Sequence, residues 1–169
     1  MIDPSRFPQF DRPMPTRRTL PHEPPRWIDP SREIWFITVC CETRRANQLA
    51  CDEIGPALIE TIQHRNRSGV WWTWLVTVMP DHVHLLASFP STGDGMVRVM
   101  TEWKRWTARS LKIRWQQNFF DHRLRHDESY LAKADYILHN PVRAGLVAHW
   151  EQWPYRWWPE DTIFTDLAR

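Results

Sequence analysis

The chain of 169 residues is long enough for one domain with a well-buried core and too short for two independent domains of ordinary size. Hydrophobic residues make up 42% and charged residues 25%, which excludes a disordered chain, and no stretch approaches the ~20 apolar residues of a membrane-spanning helix. Three cysteines without metal-ligand spacing and the absence of an apolar signal segment predict a protein of the reducing cytoplasm, with no membrane partner. The net charge of +2 favours no class of partner.

The chain divides into three segments by composition. Residues 1–30 contain eight of the fourteen prolines, interleaved with five arginines and without an apolar period, which predicts an irregular N-terminal arm. Residues 31–148 carry regular apolar periodicity and are predicted to form the folded domain. Residues 149–169 form a Trp-rich tail whose charge is mildly acidic.

The first half of the domain predicts a strand, a helix and a hairpin. The run at 33–41 is rich in β-branched and aromatic residues, as in a buried strand, and apolar residues recur every four positions over 53–66, as in a helix. Alternation predicts strands at 71–79 and 82–89 with a tight Pro-Asp turn between them. The first of these two strands would place on one face Trp72, Trp74, Val76 and Val78.

The second half predicts a helix, a short strand and a last helix. Helical spacing over 96–113 produces an apolar stripe of Met96, Val99, Trp103, Trp106 and Ile113. A short strand fits 119–123, and a last helix runs from about 127 to 139 because Pro141 disfavours helix at the residue before it. This order predicts an α+β fold, a ferredoxin-like four-stranded antiparallel sheet with helices on one face and the last helix added to it.

Two histidines open the second hairpin strand. His82 and His84 are two residues apart, so both side chains leave the same face of the sheet, whereas the apolar residues between and after them leave the opposite face. The two imidazoles would lie about 7 Å apart along the strand, a separation that one divalent cation can bridge. The motif alone is weakly specific, and the alternative is a pair of polar residues on a half-exposed strand.

The last predicted helix carries a candidate nucleophile. Tyr136 and Asn140 are four residues apart and share a helix face, and the amide oxygen of Asn140 can ligate a metal. An ordinary tyrosine has a pKa of about 10, so a nucleophilic phenol needs a Lewis acid that polarises the phosphorus of a phosphate ester. Lys133, three residues before Tyr136, places a cation nearby to favour the phenolate. The alternative is that Tyr136 is a packed aromatic residue.

Basic residues concentrate between positions 98 and 125, where eight of them stand against two acidic residues. Four fall on one face of the predicted helix and are candidates for contact with DNA phosphates: Arg98, Arg105, Arg109 and Lys112. Exposed tryptophans could stack on unpaired bases. The alternative is a solvated basic face with the tryptophans in the core.

Four motifs in order resemble those of one family. The strings VMPDHVHLL, WQQNFFDHRLR, DYILHNPVRAGLV and WPY resemble the REP-associated tyrosine transposases, relatives of the single-tyrosine HUH insertion-sequence transposases. The resemblance runs from about Trp35 to Tyr155 and rests on the combination of motifs. The tail departs from the family pattern after WPY, where Arg156, Trp157 and Trp158 replace small hydroxyl residues, so the resemblance does not extend to base recognition by the tail.

The resemblance implies a metal-dependent endonuclease and strand transferase that acts on single-stranded DNA. His82 and His84 would bind Mg²⁺ or Mn²⁺ as the HUH pair, and Asn140 would complete the metal shell. Tyr136, on the catalytic helix, would attack a backbone phosphorus to give a 5′-phosphotyrosine link and a free 3′-OH. Family members recognise palindromic REP elements that fold as hairpins, which implies a DNA hairpin partner and a place at the bacterial nucleoid. The family is commonly interpreted as domesticated.

The tyrosines agree with a single-tyrosine enzyme. Tyr130 lies about 120° from Tyr136 around the helix, and Tyr155 lies in the proline-flanked tail, so neither projects beside Asn140. A two-tyrosine relaxase would need a second phenol three or four residues after Tyr136, where His139 and Asn140 stand.

Two other functions stay open on the sequence. One is a regulator that binds repeat hairpins without cutting them, and the other is a mobile insertion-sequence transposase. The sequence also allows a monomer or a homodimer, because insertion-sequence relatives donate the tyrosine across a dimer interface whereas the REP-associated type can complete its site within one chain.

Overall fold

The computed structural model describes residues 33–89, 95–125 and 130–160 of the chain, which contain five strands and four α-helices. In chain order these are β1 (Trp35–Cys40), α1 (Ile54–Arg67), β2 (Trp72–Val78), β3 (His82–Ser88), α2 (Gly95–Ser110), β4 (Phe120–Arg123), α3 (Tyr130–Leu138), α4 (Asn140–Arg143), a 3₁₀ turn (Trp150–Gln152) and β5 (Arg156–Trp157). The predicted arm at 1–30 and the last nine residues of the predicted tail lie outside the described residues. None of the described helices has the length and apolar character needed to cross a membrane.

The strands form one antiparallel sheet in the order β4-β1-β3-β2-β5. The predicted hairpin is confirmed, because β2 and β3 pair up to Val78 opposite Val83 and the N–H of Met79 donates to the carbonyl of His82 across the turn. On its other side, β3 pairs with β1, which places His84 opposite Thr38. The histidine strand therefore lies at the centre of the sheet.

The α+β prediction with an antiparallel sheet is confirmed, but the predicted number of strands is wrong by one. Two tail residues, Arg156 and Trp157, pair with β2 at its outer edge and add a fifth strand. A two-residue strand leaves almost no periodic signal in a sequence. The ferredoxin-like classification stays a prediction.

Both faces of the sheet are covered, and each face has its own core. On one face, the apolar residues of β3 pack with α1 and α2 in the larger cluster, together with Leu58 and Ile62 of α1 and Met100 and Trp103 of α2. On the opposite face, Phe36, Leu75 and Leu86 pack against α3 through Ala134, Ile137 and Leu138. The helices predicted for one face are α1 and α2, and α3 covers the face from which the histidines project.

Two details of the predicted packing are wrong. The register between β2 and β3 shifts between Thr73 and Leu75, and this bulge sends Trp74 to the α3 face although Val76 and Val78 pack on the other face. In α2, the buried stripe continues from Trp103 to Thr107, so Trp106 lies outside it and is 48% exposed.

The tail is fastened to the larger core. The ring N–H of Trp153 donates to the carbonyl of Val78 at 3.0 Å, and the N–H of Val78 donates to the carbonyl of Tyr155 at 2.8 Å. The phenol of Tyr155 donates to Asp52 Oδ1 at 2.8 Å, and burial together with this carboxylate raises the pKa of Tyr155 to about 12. Tyr155 therefore has a structural role, and its place in the proline-flanked tail is the reason not to expect it beside Asn140.

Gly55→Ala is expected to destabilise the fold through the docked tail. A Cβ on Gly55 would lie 2.4 Å from Cδ1 and 2.7 Å from Cε1 of Tyr155, and overpacking of this kind costs roughly 1–3 kcal/mol. Urea unfolding measures the cost. In a Tyr155→Ala background the same change should cost clearly less, because the ring is gone. Equal costs in both backgrounds would contradict the packing of the tail on α1.

Candidate active site

The two histidines point their outer ring nitrogens at each other. His82 Nε2 and His84 Nε2 are 3.1 Å apart, and the ring centroids are 4.6 Å apart. This is closer than the spacing along the strand predicts, because the rings turn toward one another. Two ligands at about 2.1 Å from a shared octahedral ion lie about 3 Å apart, so the spacing of the two nitrogens suits one small divalent cation.

The inner ring nitrogens are held by neighbouring side chains. His82 Nδ1 lies 2.6 Å from Asp81 Oδ1, and His84 Nδ1 lies 2.9 Å from the Thr38 hydroxyl. Metal-binding histidines in proteins use such partners to fix the ring and the tautomer. If each Nδ1 carries the proton, both Nε2 lone pairs face the same point, and a positive ion there relieves their repulsion.

Burial and nearby cations favour the neutral form of His84. The side chain is 6% exposed, and burial, followed by the charges of His82 and Arg143, holds the pKa of His84 well below its usual value. Burial alone would raise the pKa of Asp81, but hydrogen bonds from His82 and from the N–H of Arg45 outweigh it and keep this pKa below its usual range. A neutral His84 keeps one ring nitrogen able to bind a metal ion, and the charged carboxylate of Asp81 orients the other histidine, His82.

Tyr136 lies against the histidine pair. Its ring centroid is 6.5 Å from that of His84 and 6.3 Å from that of Phe36, and the side chain is 46% exposed. Its position follows from the packing of α3, because Ala134, Ile137 and Leu138 are buried against the sheet and leave the tyrosine at the border of that interface. The phenol is thus both accessible and next to the imidazoles.

Two cations flank Tyr136. The guanidinium carbon of Arg143 is 4.2 Å from the centre of the tyrosine ring, and this side chain also donates to the main-chain carbonyl of Tyr136. Lys133 Nζ is 5.8 Å from the same ring. Lys133 is predicted from the sequence, whereas Arg143 is not, although a seven-residue spacing from Tyr136 brings it back to the same side after two helical turns. Arg44 is not predicted either, and its Nε is 3.2 Å from Asp81 Oδ2.

Asn140 begins a new helical turn, which corrects the predicted helix end. α3 ends at Leu138, and α4 starts at Asn140 with Pro141 in its first turn, where proline is tolerated. The Nδ2 atom of Asn140 is buried without a hydrogen-bond partner among the described residues. Nitrogen and oxygen of such an amide are interchangeable in assignment, so the unpartnered position suits a metal-ligating oxygen equally.

The described residues contain no group of three His, Cys, Asp or Glu side chains able to hold a metal. Two imidazoles whose Nε2 atoms lie 3.1 Å apart nevertheless fit a divalent ion. An amide oxygen, water and substrate phosphate oxygens are the ligand types that would complete the shell of Mg²⁺ or Mn²⁺.

The structure separates the basic helix face from the histidines. Arg98, Arg105, Arg109 and Lys112 are all exposed, but they lie on or just after α2, which covers the opposite face of the sheet. Arg98 is paired with Glu102 at 2.8 Å. The neighbouring Lys104 is buried and donates to the carbonyls of Gln116, Gln117 and Asn118, so it ties down the loop after the helix.

The other two phenols are packed away from the histidines. Tyr130 lies at the start of α3 with its ring 5.7 Å from that of Trp74, and burial raises its pKa. Tyr155 is held by Asp52. Of the three tyrosines, all of which are described, Tyr136 is the one with a ring contact to a histidine of the pair.

Two curated proteins that are similar to this chain in sequence carry the name of the same family. No protein-family model matches the chain. A curated relative from Escherichia coli (strain K12), the REP-associated tyrosine transposase, is 30% identical over 139 residues, which cover 80% of this chain and 79% of the relative. A putative REP-associated tyrosine transposase from Haemophilus influenzae is 26% identical over 140 residues, covering 72% of this chain and 77% of that protein.

A solved structure agrees with these relatives. The REP-associated tyrosine transposase bound to a REP hairpin superposes with a TM-score of 0.66 at 26% sequence identity, covering 89% of this chain and 87% of that one. Identity of 30% over most of both chains, together with this shared structure, shows that the chain belongs to the REP-associated tyrosine transposases.

Proposed function

We propose that this chain is a metal-dependent endonuclease and strand transferase that acts on REP-type hairpins with single-stranded ends. The observation that carries the proposal is the meeting of three side chains: two imidazole nitrogens 3.1 Å apart and the ring of Tyr136 beside one of them. The solved relative in complex with a REP hairpin supports DNA hairpins as the substrate class.

His82 and His84 would hold Mg²⁺ or Mn²⁺ through their Nε2 atoms, with the amide of Asn140 as the third protein ligand. When bound, the ion supplies a Lewis acid for the scissile phosphate. Asp81 and Thr38 orient the two imidazoles, and Phe36 supports the tyrosine ring on the side of the sheet. The chain thus fixes the nucleophile and the phosphate-binding groups before DNA arrives.

The reaction is a transesterification. The phenol of Tyr136 gives up its proton to solvent, and its oxygen forms a bond to phosphorus as the bond from phosphorus to the 3′-oxygen breaks. The leaving 3′-oxygen takes up a proton, so the products are a 5′-phosphotyrosine and a free 3′-OH. Lys133 and Arg143 place positive charge beside the attacking phenol and the phosphate. Attack of another 3′-OH on the phosphotyrosine reverses the step and joins strands without ATP. Arg98, Arg105, Arg109 and Lys112 contribute salt-sensitive contacts with more distant phosphates.

Tyr136→Phe is expected to abolish covalent capture of DNA, because it removes the attacking oxygen and keeps the ring. A labelled hairpin with a single-stranded flank, incubated with Mn²⁺ and the wild-type chain, should give a protein–DNA adduct that survives denaturing electrophoresis, and the Tyr136→Phe variant should give none. Tyr130→Phe and Tyr155→Phe are matched controls and should still form the adduct. Cleavage by the Tyr136→Phe variant would remove this residue as the nucleophile.

His82→Ala is expected to abolish adduct formation and to leave hairpin affinity within a few-fold of wild type, because phosphate contacts elsewhere supply binding. Calorimetric titration with Mn²⁺ should show binding to the wild-type chain and none to His82→Ala. Asp81→Asn, which weakens the hold on His82 Nδ1, should reduce Mn²⁺ affinity by about 10–100-fold. Loss of DNA binding and folding together would instead mean that the histidines are structural.

We expect the site to be complete within one chain, because the ring of Tyr136 on α3 lies 6.5 Å from that of His84 on β3 of the same molecule. A mixture of His82→Ala and Tyr136→Phe proteins should therefore form no adduct. Recovery of adduct in the mixture would show that two copies share a site, as in a dimer that exchanges its tyrosines.

A regulator that binds hairpins without cutting them is the alternative function. The basic face of α2 lies away from the histidines, so the chain could bind DNA there without using the candidate active site, and this placement favours the alternative. The two functions differ in one result, since a regulator binds the hairpin with Mn²⁺ and leaves it uncut.

A further inference from the structure

A groove on the face away from the candidate active site is not used by the proposed reaction. It has a volume of about 590 Å³ and lies between α1 and α2. Its apolar side chains include Val99, Leu111 and the exposed Trp106. Trp106 is the most exposed residue of the predicted apolar stripe, at 48%, so its ring is available to a ligand.

An arginine backs the exposed ring. The guanidinium carbon of Arg65 is 5.9 Å from the ring centre of Trp106 and 5.9 Å from that of the buried Trp71. Among the described residues, Arg65 makes these ring contacts and no side-chain hydrogen bond or ion pair. Burial lowers the pKa of Arg65, and the charge of Glu102 opposes this. A half-buried guanidinium with unused donors in a groove is suited to bind an anion.

We propose that this groove binds an unpaired base of the DNA hairpin, which stacks on Trp106 while Arg65 and Arg67 bind the adjoining phosphate. Aromatic stacking accepts any base, since every base has a π-face, and the guanidinium of Arg65 near the ring adds a cation–π contribution. The apolar floor receives the base edge, and the cations lie where the backbone must run. The inference rests on the proposed role of the chain in binding DNA hairpins.

The charges around the groove favour nucleic acid over the proline-rich arm of this chain. Glu60 and Glu102 also line the groove, but Glu102 is already paired with Arg98. Arg109 lies one helical turn after Trp106 and is exposed, which adds a cation to the same rim. Residues 1–30 carry five arginines and four acidic residues, so the arm is close to neutral and lacks the continuous negative charge by which a phosphate backbone is attracted to these cations.

The first test uses the wild-type chain. A hairpin with single-stranded ends is prepared with 5-iodouracil at one unpaired position at a time, irradiated in complex with the protein without metal ion, and the crosslinked peptides are identified by mass spectrometry. We expect a crosslink on the tryptic peptide 106–109, which contains Trp106. Crosslinks confined to residues on the α3 face of the sheet, such as Trp74 or Tyr136, would overturn the proposal.

The second test measures affinity by fluorescence anisotropy, again without metal ion. Trp106→Ala should weaken binding of a hairpin with unpaired bases by about 5- to 100-fold, the range expected for one stacked base, while Trp106→Phe should keep most of the affinity. A fully paired duplex should lose nothing. Val97→Ala, an exposed apolar residue of α2 outside the groove, is the matched control and should leave binding unchanged.

Arg65→Gln should lower the slope of affinity against salt by roughly 0.7, the value for one lost phosphate contact on a single strand. Unchanged affinity in Trp106→Ala, or an equal loss on paired DNA, would mean that the groove has another occupant, such as a protein. The crosslinking and affinity tests use no metal ion and do not depend on cleavage. If the wild-type chain formed no adduct in the separate experiment with Mn²⁺, that result would count against the proposed cleavage and would not affect these two tests.

Discussion

The close approach of two imidazole nitrogens is the constraint around which the site is built. The Nε2 atoms of the two rings are 3.1 Å apart, and lone pairs on both atoms would repel one another unless a proton or a cation lay between them. Asp81 and Thr38 hold the two rings in this position. Those two partners come from the hairpin turn and from β1, so the whole centre of the sheet must form before the pair exists. Stability of the fold and readiness of the site are therefore linked.

The two faces of the sheet have different roles. The face under α1 and α2 contains most of the buried apolar side chains, so the α3 face can hold polar side chains in its interior. The buried His84 is tolerable there because the hydroxyl of Thr38 on the adjacent strand is its hydrogen-bond partner. The basic helix surface and the groove at Trp106 lie on the larger-core side of the sheet. DNA that contacted this side and also the histidines on the other side would have to pass around the edge of the domain.

The elements with strong periodicity were predictable, and the exceptions have local physical causes. Strand alternation correctly separated His82 and His84 from the apolar face of β3, and helical spacing found α1 and the face shared by Tyr136 and Lys133. A bulge in β2 broke the alternation at Trp74, which no local pattern announces. Arg143 was not predicted because the proline after Asn140 indicated the end of the helix, although a proline in a first turn permits a new helix. The catalytic roles of His82, His84 and Tyr136 stay predictions.

The bonds that fasten the tail join distant parts of the chain. Trp153 reaches Val78 across 75 positions, and Tyr155 reaches Asp52 across 103. Contacts of such high sequence separation cost loop-closure entropy before they return any energy, and chains rich in them fold slowly. A partly folded chain whose tail has not yet docked would leave the place of Trp153 in the larger core open and would expose an apolar surface to aggregation.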